Sequence, residues 1–495
     1  MPAFSLTHAT TRRLPCARPF WGKRWAGHFT VVACATAMHG AFAQATTDTE
    51  GSAAANQPAI TQGAPSFDND AASHVGNAIL EKPADGGRTG PLAGLGATLN
   101  GWGITPVLNL TQMYLANPSV GQKTGKHEAL TFVTVGADFD MQKLLGIKGA
   151  TIHFAQLFVP FTTNLSYGLQ VGDSIAGQPA PYVPKVSHLV TFTWEQKAFD
   201  DRATLEFGKS NPGLYFGNPV CNQGFECQSP LLQDNAGFNP PIYSNWGARL
   251  AYRFTPAIAV QFGAWRSDPA APFTNGWEWR DTATDSTTYL ANVTFRTEYA
   301  TARYPGSYEF LLFHSTARQT DPSDTTDTHK GTSGLYLGGK QVVYRPDGGT
   351  GSASPAALSA FGSVTSSFDK RNSAGLQASG NAGLTLDAPF RSRAHDSYSI
   401  KFTWVRLTDD EQHHLQAANL AAGGGGYTVG RSEFALGLDA NFPLTKAIVL
   451  SPFITRTFKT DAWGNPSYAS TPRNGFAGGV LLTVFFDKML GLTDH

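Results

Sequence analysis

The sequence predicts an all-β protein, a transmembrane antiparallel up-and-down β-barrel of about sixteen strands with short periplasmic turns and long external loops. Three observations lead to this prediction. Apolar and polar residues alternate in segments of about ten residues, as in strands that face lipid on one side and a lumen on the other. Aromatic residues make up 12% of the chain and charged residues only 15%, whereas soluble domains carry about 25% charged residues. Short and long connections alternate between the segments.

The stretch 246–266 contains the clearest hairpin. In its first arm Leu250 and Phe254 fall on one face while Arg249 and Arg253 fall on the other, because successive strand residues point to opposite faces. A Thr-Pro turn follows, and the second arm alternates in the same way. The rest of the chain repeats this unit, which predicts a barrel built of hairpins.

Net charge and hydropathy exclude other classes of protein. The 495 residues include 37 basic and 37 acidic side chains, so the formal net charge is zero. No basic stripe or block stands out, which argues against nucleic acid as a partner. No internal segment reaches the roughly 18 apolar residues of a membrane-spanning helix. We therefore expect any crossing of a membrane to be made by strands.

The N-terminus carries the pattern of a secretory signal. Basic residues precede a modest apolar core at 25–38, and Ala41-Phe42-Ala43 forms a small-x-small cleavage site before Gln44. We interpret residues 1–43 as a signal peptide; Arg12-Arg13 permits a twin-arginine signal, and 31–34 resembles a lipoprotein cleavage box. Residues 44–91 are rich in Ala, Thr, Gln, Asp, Gly and Pro and are predicted to be a flexible periplasmic leader.

Two cysteines remain after the signal, Cys221 and Cys227 in CNQGFEC. In an oxidising compartment this spacing favours a small disulfide loop. Free thiols are an alternative, and a metal site would need further ligands, although no histidine lies in this loop. We expect no cofactor and no metal.

Fifteen strands can be placed in order, and a sixteenth is assumed to lie hidden in a loop because single-chain bacterial barrels have an even number. A short helix is expected at 92–99, ended by Gly101. The predicted strands are 104–115, 130–140, 151–158, 189–196, 203–209, the two arms of the 246–266 hairpin, 289–299, 307–315, 334–344, 374–386, 398–406, 434–442, 447–458 and 476–486.

The connections between these strands alternate in length, which is the barrel rule for periplasmic turns and external loops. The short ones include 141–149, 197–202, 255–256 and 443–446. The long ones include 159–187, 210–244, 267–288, 317–332, 346–373 and 408–431. The 210–244 loop contains both cysteines and several aromatic residues, so it could fold inward and narrow the pore or form an external cap.

Four segments resemble a known family. Residues 136–154 read GADFDMQKLLGIKGATIHF, which resembles the strand–turn–strand of the carbohydrate-selective (OprB-like) porins, with a turn of roughly D-x-E-K-L-L-G-x-x-G-G-x-x-H. WEQKAF at 194–199, LEFGK at 205–209 and WGARL at 246–250 are similar to the family's following strands. The order and spacing of these motifs make the resemblance specific over most of 92–486. Gln142 replaces the usual acid of the turn, and DKMLGLTDH follows Phe486 as a C-terminal extension at 487–495.

The resemblance implies an outer-membrane porin of a Gram-negative bacterium for passive, carbohydrate-selective diffusion of mono- and oligosaccharides such as glucose. The expected partners are small neutral sugars, outer-membrane lipid and the barrel-assembly machinery. The sequence leaves open whether the protein is a monomer or a homotrimer.

Strand parity predicts which polar side chains line the lumen. A charge on the lipid face costs about 2–4 kcal/mol near the middle of the bilayer, so charged residues of the strands are expected to point inward. The predicted lumenal set is Glu195, Glu206, Arg249, Arg253, Gln261, Trp265, Arg296, Glu298, Lys401, Glu433 and Asp439.

Part of this set is predicted to contact sugar. Arg249 and Arg253 share one face of a strand, and Gln261 and Trp265 lie on the same side of its partner. Together they offer guanidinium donors, an amide and an indole face, and Glu195 could supply an acceptor for sugar hydroxyls. The alternative is that these charges only neutralise one another across the barrel wall.

The sequence leaves three other functions open. A general or ion-selective porin would show the same pattern of strands. A barrel enzyme would need a nucleophile and a base, and parity gives only His153 an inward position. We find no H-E-x-x-H, C-x-x-C, G-x-S-x-G or Walker loop. A surface adhesin would depend on the loops rather than on the lumen.

Overall fold

The computed structural model describes residues 88–177, 187–222, 227, 229–236, 238, 244–266, 275–279, 286–299, 302–324, 326–346, 356–390, 392–393 and 395–493. The predicted signal peptide at 1–43 and the leader up to residue 87 lie outside the described residues. No helix in the described part of the chain is long and apolar enough to cross a membrane.

The described residues form sixteen antiparallel strands in one closed barrel, which confirms the predicted fold. Each strand pairs with its sequence neighbours, and β1 closes the barrel on β16. The strands are β1 Ile104–Asn117, β2 Lys126–Asp140, β3 Ala150–Thr162, β4 Ser187–Ala198, β5 Ala203–Ser210, β6 Asn245–Thr255, β7 Ile258–Trp265, β8 Thr288–Arg296, β9 Gly306–Thr320, β10 Thr328–Tyr344, β11 Ala357–Ser367, β12 Leu376–Asp387, β13 Ser397–Leu407, β14 Ser432–Thr445, β15 Ile448–Phe458 and β16 Gly475–Phe485.

The strand that the sequence left hidden is β11, within the predicted long connection 346–373. It pairs with β10 and β12 along its length. Its outward positions are mostly Ala, Gly and Ser, with few large apolar side chains, so its alternation is too weak to recognise. The prediction of one long loop at 346–373 is therefore wrong, because this segment contains a connection, a strand and part of a second connection.

Strand β13 shows why these residues form a barrel wall. Ile400 and Phe402 point outward with 44% and 46% of their surface exposed, while Lys401 between them is 2% exposed and faces the lumen. Outward apolar side chains favour lipid, and pairing with β12 and β14 satisfies the backbone donors and acceptors along the strand, as a membrane requires. The alternation therefore specifies both the pairing register and the lumenal set.

The two chain ends of the barrel meet at its short-turn end. Helix α1 (Ala93–Trp102) precedes β1 and ends at Gly103, whose φ of 90° suits glycine. The predicted helix at 92–99 exists, but it continues past Gly101. Helix α6 (Phe486–Leu490) forms the start of the C-terminal extension, and Leu92 donates its N–H to Leu490 O.

Further helices occur in the connections. They are α2 (Met141–Leu145), α3 (Tyr167–Val171), α4 (Pro230–Asn235) and α5 (Asp409–Ala421), with a 3₁₀ turn at Pro212–Leu214. Helix α2 lies in the predicted turn 141–149 and is capped by the side chain of Asp140.

Two long loops fold into the barrel and supply its core. We call residues 211–244 the inner loop and residues 163–186 the β3–β4 loop. Apolar side chains of the inner loop, including Tyr215 and Phe216, pack against the lumenal faces of β7 to β10. Tyr167 and Val171 of the β3–β4 loop pack against the lumenal faces of β1 to β3, β15 and β16. The lumen is therefore partly filled by the chain itself.

Candidate functional site

Arg249, on the lumenal face of β6, is the centre of a buried network. Its Nε and Nη2 donate to Glu206 Oε2 at 2.9 and 2.7 Å. Nη2 also donates to Glu195 Oε2 at 3.3 Å, and Nη1 donates to Gln261 Oε1 at 3.2 Å. The planar guanidinium can serve all three partners because it carries five donors in a fixed fork. Four predicted lumenal residues from four adjacent strands thus bind one another.

The inner loop covers this network from the lumen side. The Tyr215 hydroxyl donates to Glu206 Oε1 at 2.7 Å, and its ring lies 4.5 Å from the guanidinium carbon of Arg249. Further along the loop, Gly217 N–H and Asn218 N–H donate to Glu309 on β9 at 3.0 and 2.9 Å. The loop is therefore held to the wall by charged acceptors on two strands.

Trp265, predicted as a stacking face for sugar, lies beneath the same loop. Its ring stacks on Tyr215 at 5.6 Å between centroids and meets Phe216 edge-on at 5.8 Å. A side chain at Gly247 or Gly263 would collide with the indole, so these glycines let it lie flat against the wall. The chain itself occupies the aromatic face that was predicted to contact sugar.

Three of the predicted lumenal residues lie near the short-turn end, away from the Arg249 network. Arg253 Nη2 donates to the carbonyl of Asp201 in the β4–β5 turn at 2.9 Å. Arg296 is the last residue of β8. Glu298 was predicted inside a strand at 289–299, but β8 ends before it and Glu298 lies in the following turn. The structure therefore does not bring Arg253 together with Trp265.

The predicted residues Lys401 and Asp439 lie across the barrel, where the tip of the inner loop docks. Asn222 Nδ2 donates to Asp439 Oδ1 at 2.9 Å, and Ser397 Oγ donates to Asn222 Oδ1 at 2.8 Å. Lys401 acts electrostatically on Asp439. The inner loop therefore spans the lumen from β5 to β14.

Cys221 and Cys227, the two cysteines of the inner loop, are joined by a disulfide and buried. Cys221 directly precedes Asn222, and the carbonyl of Cys227 accepts a hydrogen bond from Asn381 on β12 at 3.3 Å. The disulfide thus closes the tip of the inner loop, and this tip contacts the barrel wall on the far side of the lumen from Arg249.

A cavity remains between the inner loop and the opposite side of the barrel. Its walls come from β12, β13, β15, β16 and β1, and the β3–β4 loop borders it. The polar and aromatic residues of its lining are Ser379, Asn381, Lys401, Thr403, Thr455, Tyr167, Trp404 and Phe453. Of these, only Lys401 belongs to the predicted lumenal set.

Several functional residues were not singled out in the sequence. Glu309 lies in β9, whose inward neighbours Leu311 and Phe313 are apolar because the inner loop packs on them. A strand that is apolar on both faces shows no alternation, so its single acid was not assigned a side. Lys340 on β10 is fully buried and interacts electrostatically with Asp387 and Asp439. In both cases the available signal was a charged side chain inside a strand, where exposure to lipid would be costly.

Comparison with known proteins agrees with this geometry. The sequence model of the carbohydrate-selective porin, OprB family, matches residues 129–469. Porin B of Pseudomonas aeruginosa is 22% identical over 330 residues, which cover 61% of this chain and 69% of that protein. The high-pH structure of Pseudomonas putida OprB has a TM-score of 0.67 at 21% identity, covering 78% of this chain and 95% of the other. The low-pH structure of the same protein gives 0.50 at 17% identity, covering 80% and 97%.

Proposed function

Because the chain belongs to the carbohydrate-selective porin (OprB) family, we propose that small neutral sugars cross it along the cavity between the inner loop and the wall formed by β12, β13, β15 and β16. It is an outer-membrane channel and not an enzyme. Passive diffusion requires a path that binds its solute weakly enough to release it. The observation that carries the proposal is the position of the cavity, whose lining shares no residue with the cluster in which the inner loop packs on β7 to β10.

The side chains bordering the cavity suit a neutral polyol. Lys401 supplies a charged donor and the Thr455 hydroxyl can donate or accept, while the Thr403 hydroxyl, which donates to Asn381, can still accept. Multiple weak hydrogen bonds of this kind favour a sugar over an ion of similar size without trapping it.

The transport unit in this proposal is a single barrel, whether the protein is a monomer or a homotrimer. All side chains named along the path belong to one chain, and the lumen is closed by the pairing of β1 with β16. Small sugars and outer-membrane lipid are its proposed partners, together with the barrel-assembly machinery that would insert it.

Lys401→Gln is expected to weaken sugar binding in the channel. The variant removes a charged hydrogen-bond donor worth about 1 kcal/mol, so the glucose concentration that half-blocks the ion current should rise about fivefold. Planar-bilayer recordings with added glucose measure this directly. Arg456→Gln is the matched control, because Arg456 points outward on β15 and stacks against Phe458 and Phe476.

The same recordings separate sugar selectivity from a general or ion-selective pore. If Lys401→Gln changes the cation-to-anion permeability ratio but leaves the glucose block of the current unaltered, Lys401 contributes only its charge. The proposed sugar path would then be incorrect at this residue, and an ion-selective channel would be favoured.

Export of the protein has two chemical consequences that one measurement can test. We propose that residues 1–43 are removed and that the disulfide forms in the oxidising compartment. Intact mass spectrometry of protein extracted from outer membranes without reductant should give the mass of residues 44–495 less two hydrogens. A chain that begins at Met1, or one that keeps both thiols free, would reject the corresponding part of this proposal.

A further inference from the structure

Three carboxylates from three separate segments of the chain lie close together near the long-loop end of the barrel. Asp173 belongs to the β3–β4 loop, Glu433 is the second residue of β14, and Asp461 lies in the connection between β15 and β16. One oxygen of each lies within 4.8 Å of the others. Their exposed fractions are 2%, 1% and 2%, so water does not solvate these charges from outside.

The donors around these carboxylates do not satisfy them. Ser174 Oγ lies 2.6 Å from Glu433 Oε2 and 2.8 Å from Asp461 Oδ2. A hydroxyl has one proton, so it can donate to only one of the two at a time. Asp173 Oδ2 and Glu433 Oε1 have no donor from any other group, and the two acids can bond to each other only if they share a proton. When both acids are ionised, these oxygens are buried acceptors without a donor, a costly arrangement unless a cation binds them.

Among the residues that the structure describes, no basic side chain forms an ion pair with these acids. Within the described part of the chain, no Lys or Arg nitrogen lies within 4.0 Å of Asp173, Glu433 or Asp461. The site therefore requires bound protons or a bound cation.

The geometry and chemistry favour a cation over protons. We propose that Asp173, Glu433 and Asp461 bind one Ca²⁺, which ties the β3–β4 loop and the β15–β16 connection to the start of β14. All donors are oxygens, the ligands that calcium prefers, at about 2.3–2.6 Å. Two oxygens on opposite sides of one such ion are separated by about 4.8 Å, so the observed spacing fits a shared ion.

Two neighbouring groups can complete the coordination. Ser174 Oγ is already directed at two of the carboxylates. The Tyr427 hydroxyl is buried, has no hydrogen-bond partner and lies within electrostatic reach of all three acids. Backbone N–H groups of Ser174 and Trp463 hold Asp461 Oδ1 at 3.0 and 3.1 Å, which fixes the carboxylate in place. The site is thus built before an ion arrives.

The proposed ion would also stabilise one border of the sugar path. Ser174 directly precedes Ile175 and Ala176, and both of these line the cavity. Loss of the ion would free this segment of the β3–β4 loop. This consequence rests on the proposed function, whereas binding of the ion does not.

Terbium luminescence tests the proposal on the purified full-length channel. After chelation at pH 8, Tb³⁺ should bind with one ion per barrel, sensitised by Trp463 beside Asp461, and Ca²⁺ should displace it. Asp173→Asn and Asp461→Asn should each weaken Tb³⁺ binding by about tenfold or more, because ligand charge sets the affinity of such sites. Asp327→Asn is the matched control, since Asp327 is exposed and pairs with Arg371.

The pH dependence distinguishes a cation from shared protons. Protons and a cation compete for the same carboxylate oxygens. Once these three buried and closely spaced acids are ionised at high pH they repel one another, so the metal-free protein should be less stable at pH 8 than the protein with a bound cation. Calcium should restore the melting temperature at pH 8 and have little effect at pH 5.

Three results would overturn the proposal. Wild-type protein that binds no Tb³⁺ at pH 8 would exclude the site without any variant. Equal Tb³⁺ binding in wild type and Asp173→Asn would place the ion elsewhere. A melting temperature at pH 8 that is unaffected by chelator and calcium would assign the cluster to shared protons. None of these readouts depends on sugar transport, so the two proposals fail separately.

Discussion

Arg249→Met will destabilise the barrel by about 3–5 kcal/mol, because it removes the ion-pair partner of buried Glu206 and leaves buried Glu195 with Lys197 alone. Glu206 and Glu195 both accept hydrogen bonds from the guanidinium, and both are almost fully buried. Methionine keeps most of the side-chain volume, so the loss of charge and of hydrogen bonds is the main change. The predicted effect is large for one substitution, since most substitutions cost about 1 kcal/mol.

Guanidinium-induced unfolding in detergent, followed by tryptophan fluorescence, measures this destabilisation. Arg253→Met is the matched control on the same strand and face. Arg253 is only partly buried and donates to the carbonyl of Asp201 in a turn, so its loss should cost about 1 kcal/mol or less. Adding Glu206→Gln to Arg249→Met should recover part of the lost stability. Equal losses for the two arginine variants would contradict the assignment of Arg249 as the essential counter-charge.

The sequence predicted the strands of the barrel wall better than it predicted how the inner loop packs inside the lumen. Alternation along β6, β7 and β13 was strong because one face meets lipid and the other a polar lumen, so Arg249, Gln261 and Lys401 were given the correct side. The alternation of side chains along a strand shows only which face of that strand each residue occupies. It does not show where a loop distant in sequence packs. The covering of Trp265 by Tyr215 depends on the path of the inner loop, which is a tertiary property.

The same limit explains the residues that were missed. Strand β9 carries apolar side chains on both faces because the inner loop replaces water inside the barrel there. Asp173 and Asp461 lie in loops far apart in sequence, and only the closure of the barrel brings them near Glu433. The resemblance to a porin family identified the class of solute, but the side of the lumen left open could be found only from the packed structure.

The central claim is that the conducting path follows the wall containing Thr403 and not the wall beneath the inner loop. Thr403→Cys places a thiol beside the cavity, where Thr403 is partly exposed and donates to Asn381 at 3.1 Å. Ser315→Cys places one on the lumenal face of β9, two residues beyond Phe313, where Ser315 is fully buried. Both substitutions change the side-chain volume little. The native cysteines are already joined to each other, so the introduced thiol can be labelled selectively.

Single-channel conductance before and after a bulky, membrane-impermeant methanethiosulfonate reagent tests this claim most directly. A group attached in a narrow path obstructs both ions and sugar, so labelled Thr403→Cys should lose roughly half or more of its conductance, with a parallel loss of glucose uptake into liposomes. Ser315→Cys should keep its full conductance under the same treatment. Block of Ser315→Cys together with unchanged conductance of labelled Thr403→Cys would contradict the account and place the path on the opposite wall.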